Sequence, residues 1–449
     1  MPLAGFPIDK RSALLLDKEN MTKYSISPMS SLYELYLRHP RISTDSRRIE
    51  PDSVFFALRG ASFDGNRFAA DALEKGAAYA VVDDPSLPNT RPDKADRLIV
   101  VDDALQTLQA LAREHRRELG LPILAITGSN GKTTTKELVS RVLAEKYEVY
   151  ATRGNLNNHI GVPLTLLAMT RDVEFGIVEM GASACGEIAL LCSIAEPNYG
   201  IVTNIGRAHL EGFGGPEGVR RGKGELYDWL ARTGGRVFVP ANDPVLMSMA
   251  AERETLAAEC YPTTLADGVE HHLEGDYNRF NVAAAVAVGR YFGVDGERIR
   301  YAVGSYRPDN HRSQKIRTGQ NTLILDCYNA NPSSMQASLV NFRQEPLEGC
   351  TRKILILGDM LELGDWSDAE HRHIISLAAE IPDARILLVG PHFAKAYRSL
   401  ESRPADTTLY PSQEVLAAEL RKHPVSQALI LVKGSHSIGL ETVSYTHLR

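Results

Sequence analysis

The segment from residue 123 to residue 142 constrains the fold most, because it places an apolar run, a glycine-containing loop and a helical pattern in that order. The apolar run Ile123–Thr127 is typical of a strand buried on both faces. The loop that follows reads Gly128-Ser129-Asn130-Gly131-Lys132-Thr133. This order predicts a P-loop, in which backbone N–H groups and a helix N-terminus bind phosphate. The alternative is a glycine-rich turn that only caps a buried helix.

The spacing of this loop departs from the common G-x-x-x-x-G-K-[ST] pattern, because only two residues separate Gly128 from Gly131. We expect Lys132 to reach the β and γ phosphates of ATP and the hydroxyl of Thr133 to ligate magnesium. The ATP contacts predicted for this part of the chain are Thr127, Gly128, Ser129, Asn130, Gly131, Lys132 and Thr133.

Apolar runs alternate with helical patterns along most of the 449 residues, which is long enough for about three domains. We predict an α/β fold with a small N-terminal α/β domain at 1–120, in which residues 1–20 are an extension. A central parallel-sheet domain with the P-loop follows at 121–312, and a Rossmann-like domain at 313–449. The charged helical stretch 105–119, which ends before Gly120 and Pro122, marks the first boundary.

Composition excludes several classes of protein. The net charge of −6 provides no basic face for a nucleic-acid partner. The five cysteines are odd in number and form no C-x-x-C pair, which favours reduced packing thiols over disulfides or a zinc site. No stretch approaches the roughly 18 apolar residues of a membrane span. We therefore expect a cytoplasmic monomer that does not insert into membranes.

Several strings resemble motifs of the Mur ligase family, which also includes folylpolyglutamate synthetases and cyanophycin synthetase. They are GSNGKTTTKE at 128–137, NLNNHIGVPL at 155–164, EMGA at 179–182, NIGRAHLE at 204–211 and KGE at 223–225. The resemblance extends from about Ser43 to Glu441. It implies a UDP-substrate-binding first domain, an ATP-binding central domain and a Rossmann-like third domain.

Two further strings, DCYNANPSSM at 326–335 and LGDMLELG at 357–364, resemble the members that add D-alanyl-D-alanine to UDP-N-acetylmuramoyl-tripeptide. The resemblance implies an ATP-dependent amide ligase that acts through an acyl-phosphate and yields the UDP-linked pentapeptide of peptidoglycan synthesis. Either lysine or diaminopimelate fits as the third residue of the tripeptide. The alternatives are another amide ligase of the folylpolyglutamate synthetase kind and a P-loop switch that makes no bond.

The resemblance implies two Mg²⁺ ions and a set of ligands that combines Thr133, Glu179, His209 and Lys223. Glu179 ends the apolar run 175–178, so its carboxylate is expected at the sheet edge where α/β folds bind ligands. A solvated strand-end glutamate is the alternative. For His209 the sequence alone supports a magnesium ligand and an ordinary loop histidine equally, because Mg²⁺ prefers oxygen ligands to imidazole nitrogen.

Lys223 aligns with the family lysine that reacts with carbon dioxide to form a carbamate, which would supply oxygens to the second magnesium ion. A plain surface lysine is the alternative. The catalytic residues implied by the resemblance are Lys132, His209 and Lys223.

The remaining contacts implied by the family fall on residues that also have ordinary explanations, such as helix caps, turns or surface ion pairs. Adenine contacts are implied for Asn278 and Asn281, a γ-phosphate contact for Arg312 and a ribose contact for Asp326. The substrate contacts implied are Thr44, Asp45, Ser46 and Arg47 at the uridine diphosphate end, together with Asn157, Asn158, Tyr328 and Asn331. Asn66 stands where the family has a histidine, which puts details of nucleotide recognition there in doubt.

Overall fold

The computed structural model describes residues 28–273, 275–308 and 314–443. Within these ranges the chain forms three β-sheets, one in each of three consecutive domains. Arg312 lies outside the described residues, so its predicted phosphate contact stays a prediction.

The N-terminal domain is a four-stranded parallel sheet in the order β1-β2-β3-β4. Its strands are β1 (Arg41–Ser43), β2 (Ser53–Phe56), β3 (Tyr79–Val82) and β4 (Leu98–Val100). Its helices are α1 (Pro28–Arg38), α2 (Ala69–Glu74), α3 (Leu87–Thr90) and α4 (Ala104–Leu119). Gly120 closes α4 with φ +63°, a left-handed conformation that suits glycine and confirms the predicted helix end.

The middle domain is a six-stranded parallel sheet in the order β10-β9-β8-β5-β7-β6. Its strands are β5 (Ile123–Thr127), β6 (Val149–Ala151), β7 (Phe175–Glu179), β8 (Tyr199–Val202), β9 (Arg236–Pro240) and β10 (Ala257–Tyr261). Its helices are α5 (Lys132–Ala144), α6 (Gly161–Leu167), α7 (Glu187–Ala195), α8 (Leu210–Phe213), α9 (Pro216–Thr233), α10 (Pro244–Ala251), α11 (Asn278–Tyr291) and α12 (Gly296–Ser305).

The C-terminal domain has the strand order β11-β12-β16-β13-β14-β15, in which only β11 runs antiparallel to its neighbour among the described strands. Its strands are β11 (Gln314–Arg317), β12 (Thr322–Asp326), β13 (Arg352–Gly358), β14 (Ala384–Val389), β15 (Thr407–Tyr410) and β16 (Ala428–Lys433). Its helices are α13 (Pro332–Gln344), α14 (Ser367–Ala379), α15 (Pro391–Arg398) and α16 (Gln413–Lys422).

The register of the middle sheet sets the position of the site. Ile126 of β5 pairs with Glu179 of β7, and Thr127 of β5 pairs with Val202 of β8. The loop after β5 therefore emerges between the ends of two neighbouring strands. This is the edge where parallel sheets of α/β folds bind ligands.

The first two domains share one hydrophobic core. Leu108 and Leu111 of α4 are fully buried in the cluster that also contains Leu166 of α6 and Leu191 of α7. Arg116, near the end of α4, donates to Ala195 O at 3.0 Å and so ties the helix to the middle domain. No helix in the described part of the chain is long and apolar enough to cross a membrane.

Candidate active site

The loop between β5 and α5 is a compact turn that requires its two glycines. Gly128 has φ +137°, and a Cβ on it would lie 2.0 Å from the hydroxyl of Thr203. Gly131 has φ +79°, and a Cβ there would lie 2.7 Å from Asn281 Oδ1. The backbone therefore runs close to the neighbouring strand end and to α11, as a loop that surrounds phosphate with N–H groups must.

Lys132 lies at the first position of α5 and turns back over its own loop. Its Nζ donates to Gly128 O at 2.7 Å and to Ser129 O at 3.2 Å. Asn204, beyond the end of β8, accepts from Asn130 N at 3.1 Å through its side chain. The ammonium group is thus held above the loop, where a phosphate would replace the two carbonyl oxygens as its partner.

Thr133 and Glu179 meet beneath this loop. The hydroxyl of Thr133 donates to Glu179 Oε2 at 2.9 Å, and Asn157 Nδ2 donates to Glu179 Oε1 at 2.8 Å. Glu179 is 2% exposed, and the buried ammonium of Lys136 lies 3.9 Å from its Oε2. A hydroxyl and a carboxylate, fixed side by side at the end of a P-loop, are the oxygen donors that Mg²⁺ prefers.

Lys223 is buried in the middle of α9, with 1% of its surface exposed. Its Nζ donates to Ala182 O at 3.1 Å and lies 5.1 Å from the centre of the Phe213 ring. Burial, and next the positive charge of Lys132, lower the pKa of Lys223 well below its ordinary value. This environment favours the neutral amine, which is the form that reacts with carbon dioxide.

His209 lines the cavity at the start of α8. Its Nδ1 is hydrogen-bonded to Glu362 of the C-terminal domain. Burial is the largest effect on the pKa of His209 and lowers it. The positive charges of Lys132 and Lys223 also lower this pKa, whereas the charge and hydrogen bond of Glu362 raise it. The positive charge of Lys132 lowers the pKa of both His209 and Lys223.

Two asparagines of α11 support the loop from the other side. Asn281 Oδ1 accepts from the Thr135 hydroxyl at 3.0 Å, and Asn281 Nδ2 donates to Asn278 Oδ1 at 2.8 Å. Both asparagines are buried and both line the cavity. They couple the P-loop helix to the segment for which adenine contacts are predicted.

The C-terminal domain contributes one part of the cavity wall. Asn331 Nδ2 donates to Asn130 Oδ1 of the P-loop at 2.8 Å, and Ser333 Oγ accepts from Arg207 N at 2.8 Å. Asp326, at the end of β12, accepts from the Ser338 hydroxyl at 2.9 Å and forms an ion pair with Lys433. Polar side chains of both the middle domain and the C-terminal domain therefore contact the P-loop.

One cavity of 860 Å³ lies between the middle and C-terminal domains, and the predicted metal ligands Thr133 and Lys223 are not among the residues that line it. The predicted site residues that line it are Ser129, Asn130, Gly131, Lys132, Asn157, Asn158, Glu179, His209, Asn278, Asn281, Asp326, Tyr328 and Asn331. Thr127 is fully buried, and its hydroxyl donates to Met180 O at 2.7 Å. A cavity of this volume is in the range that holds small-molecule ligands.

Three sequence profiles of one family match consecutive parts of the chain. The profile described as "Mur ligase family, catalytic domain" matches residues 40–116, "Mur ligase middle domain" matches 126–264, and "Mur ligase, glutamate ligase domain" matches 311–436. The UDP-N-acetylmuramoyl-tripeptide--D-alanyl-D-alanine ligase of Bacillus subtilis (strain 168) is 34% identical over 90% of this chain and 92% of its own length. The chain belongs to the Mur ligase family.

Other ligases of the same family are also similar to this chain over most of its length. The protein of the same name from Escherichia coli (strain K12) is 31% identical over 90% of this chain and 92% of its own length. A crystal structure of MurF from Acinetobacter baumannii superposes with a TM-score of 0.79 at 30% identity, covering 91% of this chain and 93% of that one. MurF ligase from Thermotoga maritima, solved in complex with ADP, gives 0.77 at 25% identity, with 92% and 98% covered. The predicted three-domain α/β architecture of a Mur ligase is thereby confirmed.

The N-terminal residues predicted to bind the substrate lie apart from this cavity. Thr44, Asp45, Ser46 and Arg47 follow the end of β1, and no residue before 129 lines the cavity in the part of the chain that the structure describes. Asp45 accepts from Arg47 at 2.8 Å, and this hydrogen bond lowers the pKa of the exposed Asp45 carboxyl. The segment lies at the carboxyl end of β1 in its own sheet, and its contact with substrate stays a prediction.

Asn66, which replaces the histidine expected from the family, has a structural role of its own. Its Nδ2 donates to Asp64 Oδ1 at 2.8 Å and to Asp83 Oδ1 at 2.6 Å. Its Oδ1 accepts from Asp83 N at 3.0 Å, and the residue is 3% exposed. Asn66 therefore fixes the loop after β2 to the end of β3.

Sequence reasoning assigned no role to three residues that the structure brings to the site. Lys433 ends β16, is 1% exposed and pairs with Asp326. Asn204 holds the P-loop backbone, and Glu362 holds His209. Their common signal in the sequence is a polar residue at or shortly after the end of a buried apolar run, which in a parallel sheet marks the ligand-binding edge.

The residues present fit magnesium without enclosing it completely. Within the described ranges, no group of three or more histidine, cysteine, aspartate and glutamate side chains is arranged to hold a metal ion. Mg²⁺ is commonly bound by one or two protein oxygens together with nucleotide phosphates, and Thr133 and Glu179 provide such a partial set.

Proposed function

We propose that this chain is an ATP-dependent ligase that joins D-alanyl-D-alanine to UDP-N-acetylmuramoyl-tripeptide in peptidoglycan synthesis. The observation that carries the proposal is the similarity to ligases of that name, 34% identity over 90% of the chain, combined with a P-loop that lines the cavity. The products are ADP, phosphate and the UDP-linked pentapeptide.

The reaction needs activation of a carboxylate that is a poor electrophile at neutral pH. In the proposed mechanism the terminal tripeptide carboxylate attacks the γ-phosphorus of ATP, giving an acyl-phosphate and ADP. The free amine of D-alanyl-D-alanine then attacks the acyl carbon, phosphate leaves, and the amine loses a proton. Lys132 offsets the negative charge on the transferring phosphoryl group, a charge-stabilising role typical of P-loops.

Two Mg²⁺ ions and a carbamate on Lys223 complete the proposed site. Thr133 and Glu179 would hold the first ion, and His209 with carbamylated Lys223 would hold the second. Carbamylation would join the neutral Lys223 amine to carbon dioxide and release one proton, and the lowered pKa of Lys223 keeps the amine in the neutral form that this reaction needs. Bound magnesium supplies charge neutralisation for the phosphates.

The domains divide the substrates among themselves. We assign residues 1–120 to the uridine diphosphate end through Thr44 to Arg47, 121–312 to ATP, and 313–449 to closure of the site. Asn278 and Asn281 are assigned to adenine, Asp326 to ribose and Arg312 to the γ-phosphate. The contacts of Asn130 with Asn331 and of Arg207 with Ser333 support such closure, which excludes water from the acyl-phosphate.

The substrate contacts assigned to Asn157, Asn158, Tyr328 and Asn331 rest on their place in the cavity wall. Tyr328 is 38% exposed, and its ring lies 6.3 Å from that of His436. Asn158 Oδ1 accepts from Gly161 N at 2.8 Å, and this hydrogen bond fixes the orientation of the Asn158 side-chain amide. Asn157 and Asn158 belong to the middle domain, and Tyr328 and Asn331 belong to the C-terminal domain.

Phosphate release from ATP and Mg²⁺ tests the proposal, with the UDP-linked tripeptide present and D-alanyl-D-alanine either added or withheld. Release that requires both acceptors supports the ligase. Two tripeptides, containing lysine or diaminopimelate, identify the third residue. Release with a folate and glutamate instead would support the other amide ligase, and release without any acceptor would indicate a nucleotide switch.

A further inference from the structure

The loop from Asp359 to Leu363, called here the 359–363 loop, follows β13 in the C-terminal domain and is held by hydrogen bonds at each of its first three N–H groups. Asp359 N donates to Val389 O at 3.0 Å, and Met360 N donates to the buried His371 Nε2 at 3.1 Å. Leu361 N donates to Ser435 Oγ at 3.1 Å. These three hydrogen bonds lie within the C-terminal domain and hold the loop independently of its contacts with the middle domain.

The side chain of Asp359 adds a further anchor. It is 1% exposed, and its two oxygens accept from His392 N at 2.9 Å and Phe393 N at 2.8 Å at the start of α15. A carboxylate at a helix N-terminus is a stable arrangement. Hydrogen bonds therefore hold the three residues that precede Glu362 in the loop.

Glu362 reaches across the domain interface in two ways. Its side chain accepts a hydrogen bond from His209 Nδ1, and its carbonyl oxygen accepts from Glu211 N at 3.2 Å. Gly364 packs against Glu211, since a Cβ on it would lie 3.2 Å from Glu211 Cβ. The 359–363 loop thus contacts the segment 209–211 through the Glu362 side chain and a backbone hydrogen bond, and Gly364 directly after the loop adds a close packing contact.

Both residues of the pair have unusual backbones. His209 has φ +52° and Glu362 has φ +61°, which are left-handed values that non-glycine residues seldom adopt. Such conformations persist where the surroundings fix them, and they concentrate at functional sites. Here the two residues with left-handed backbones are joined by one side-chain hydrogen bond.

The chemistry of this hydrogen bond determines which nitrogen of His209 is available. An ionised carboxylate only accepts hydrogen bonds, so Nδ1 must carry the proton. Nε2 then has a lone pair, which is the form a metal ion needs. Metal-ligating histidines commonly donate their other N–H to a carboxylate, and that partner orients the ring and strengthens the ligand.

We propose that Glu362 is a positioning residue that fixes the tautomer and orientation of His209, so that the second metal site is complete only when the C-terminal domain is docked. This inference rests on the proposed function, which assigns His209 to the second Mg²⁺ ion. It adds that the ion is coupled to domain closure through a residue of the other domain.

The test compares Glu362→Ala, Glu362→Gln and a control, Glu380→Ala. Glu380 is exposed, lies in the same domain and forms a surface ion pair with Arg343 at 3.2 Å. The first measurement is ¹⁵N NMR of histidine side chains without metal or nucleotide, with His209→Gln used to assign the signal. The second is Mn²⁺ binding by electron paramagnetic resonance in the presence of a non-hydrolysable ATP analogue.

We expect the wild type and Glu380→Ala to show the Nδ1–H tautomer at His209 and two bound Mn²⁺ ions. Glu362→Ala should shift the tautomer signal and weaken only the second ion, by about 10- to 100-fold. Glu362→Gln keeps an acceptor oxygen and should restore much of both. Unchanged tautomer and unchanged second-ion affinity in Glu362→Ala overturn the inference, as does a wild type that binds only one Mn²⁺.

The proposed function fails independently of this result. Its failure appears as a wild type without phosphate release that depends on D-alanyl-D-alanine, whereas the tautomer of His209 is measured without substrate or catalysis.

Discussion

The hydroxyl of Thr133 donates to Glu179 Oε2 over 2.9 Å and so joins the first turn of α5 to the last residue of β7. Both side chains are buried, with 7% and 2% of their surfaces exposed. The P-loop helix and the neighbouring strand therefore present their oxygen atoms as a pair. A metal ion bound there would be held by one residue of a helix and one residue of a strand.

Thr133→Val tests this pair, because valine keeps the shape and removes the oxygen. We expect turnover to fall by about 100-fold or more, the range found when one group that stabilises developing charge is lost. Mn²⁺ affinity with a bound ATP analogue should fall as well. Thr133→Ser keeps the hydroxyl and should retain most of the activity. Equal activity in the valine and serine variants would exclude Thr133 as a ligand.

Lys132→Ala is expected to abolish turnover, by about 1,000-fold or more, because it removes the cation beside the transferring phosphoryl group. The fold should remain intact, since the Lys132 ammonium bonds to the carbonyl oxygens of Gly128 and Ser129 in its own loop. Phosphate release and thermal melting measure the two effects. Lys422→Ala, on the exposed side of α16, is the control. Near-normal turnover in Lys132→Ala would contradict the P-loop assignment.

Lys223→Ala should lose nearly all activity, and a short carboxylic acid such as acetate should restore part of it by replacing the carbamate oxygens. The cavity left in the buried α9 site is where the acid would bind. Lys132→Ala is the control, because acetate cannot replace an ammonium group. Intact-protein mass after gentle ionisation should show the added carbon dioxide on the wild type. An unmodified Lys223 in active enzyme, or rescue of both variants alike, would disprove the carbamate.

His115 of α4 should make folding stability depend on pH. It is 5% exposed; Nε2 bonds to Met169 O at 2.8 Å and Nδ1 bonds to the Tyr33 hydroxyl at 3.1 Å. Burial lowers its pKa below the ordinary value of 6.5, so below that pH the unfolded chain binds more protons than the folded one. The stability contributed by neutral His115 is therefore present above pH 6.5 and is lost as pH falls.

The measurement is the urea midpoint of the wild type and of His115→Gln at pH 7.5, 6.5 and 5.5. We expect the advantage of the wild type to shrink steadily as the pH falls. His371, whose pKa burial also lowers, acts in the same direction in both proteins and cancels in the comparison. A difference that is constant with pH would mean that His115 does not titrate on unfolding.

Much of the fold was predictable because buried parallel strands are continuous apolar runs. The runs at 123–127 and 175–178 both lie within observed strands, and the loop predicted to bind phosphate lies between β5 and α5 as the pattern predicted. Strands with exposed or mixed faces escaped notice. β10 alternates between half-buried and exposed residues, and β15 is half-buried for most of its length, so neither has the apolar signature.

The site was predictable where it depends on order along the chain and less so where it depends on contact between domains. Glu179 was placed from the strand that precedes it. The partnership of His209 with Glu362 joins residues 153 positions apart, and nothing in either local sequence specifies it. The same holds for Asn130 and Asn331, 201 positions apart. Such pairs follow from how whole domains dock.

The core shared by α4, α6 and α7 has a consequence for how the chain comes apart. Helix α4 packs against α6 and α7, so part of its apolar surface would be exposed to water if residues 28–120 were expressed alone. The N-terminal domain is thus no independent folding unit, and it should melt together with the middle domain in one cooperative step. An exchange of this domain between related enzymes would preserve folding only if the partner faces on α6 and α7 were transferred with it.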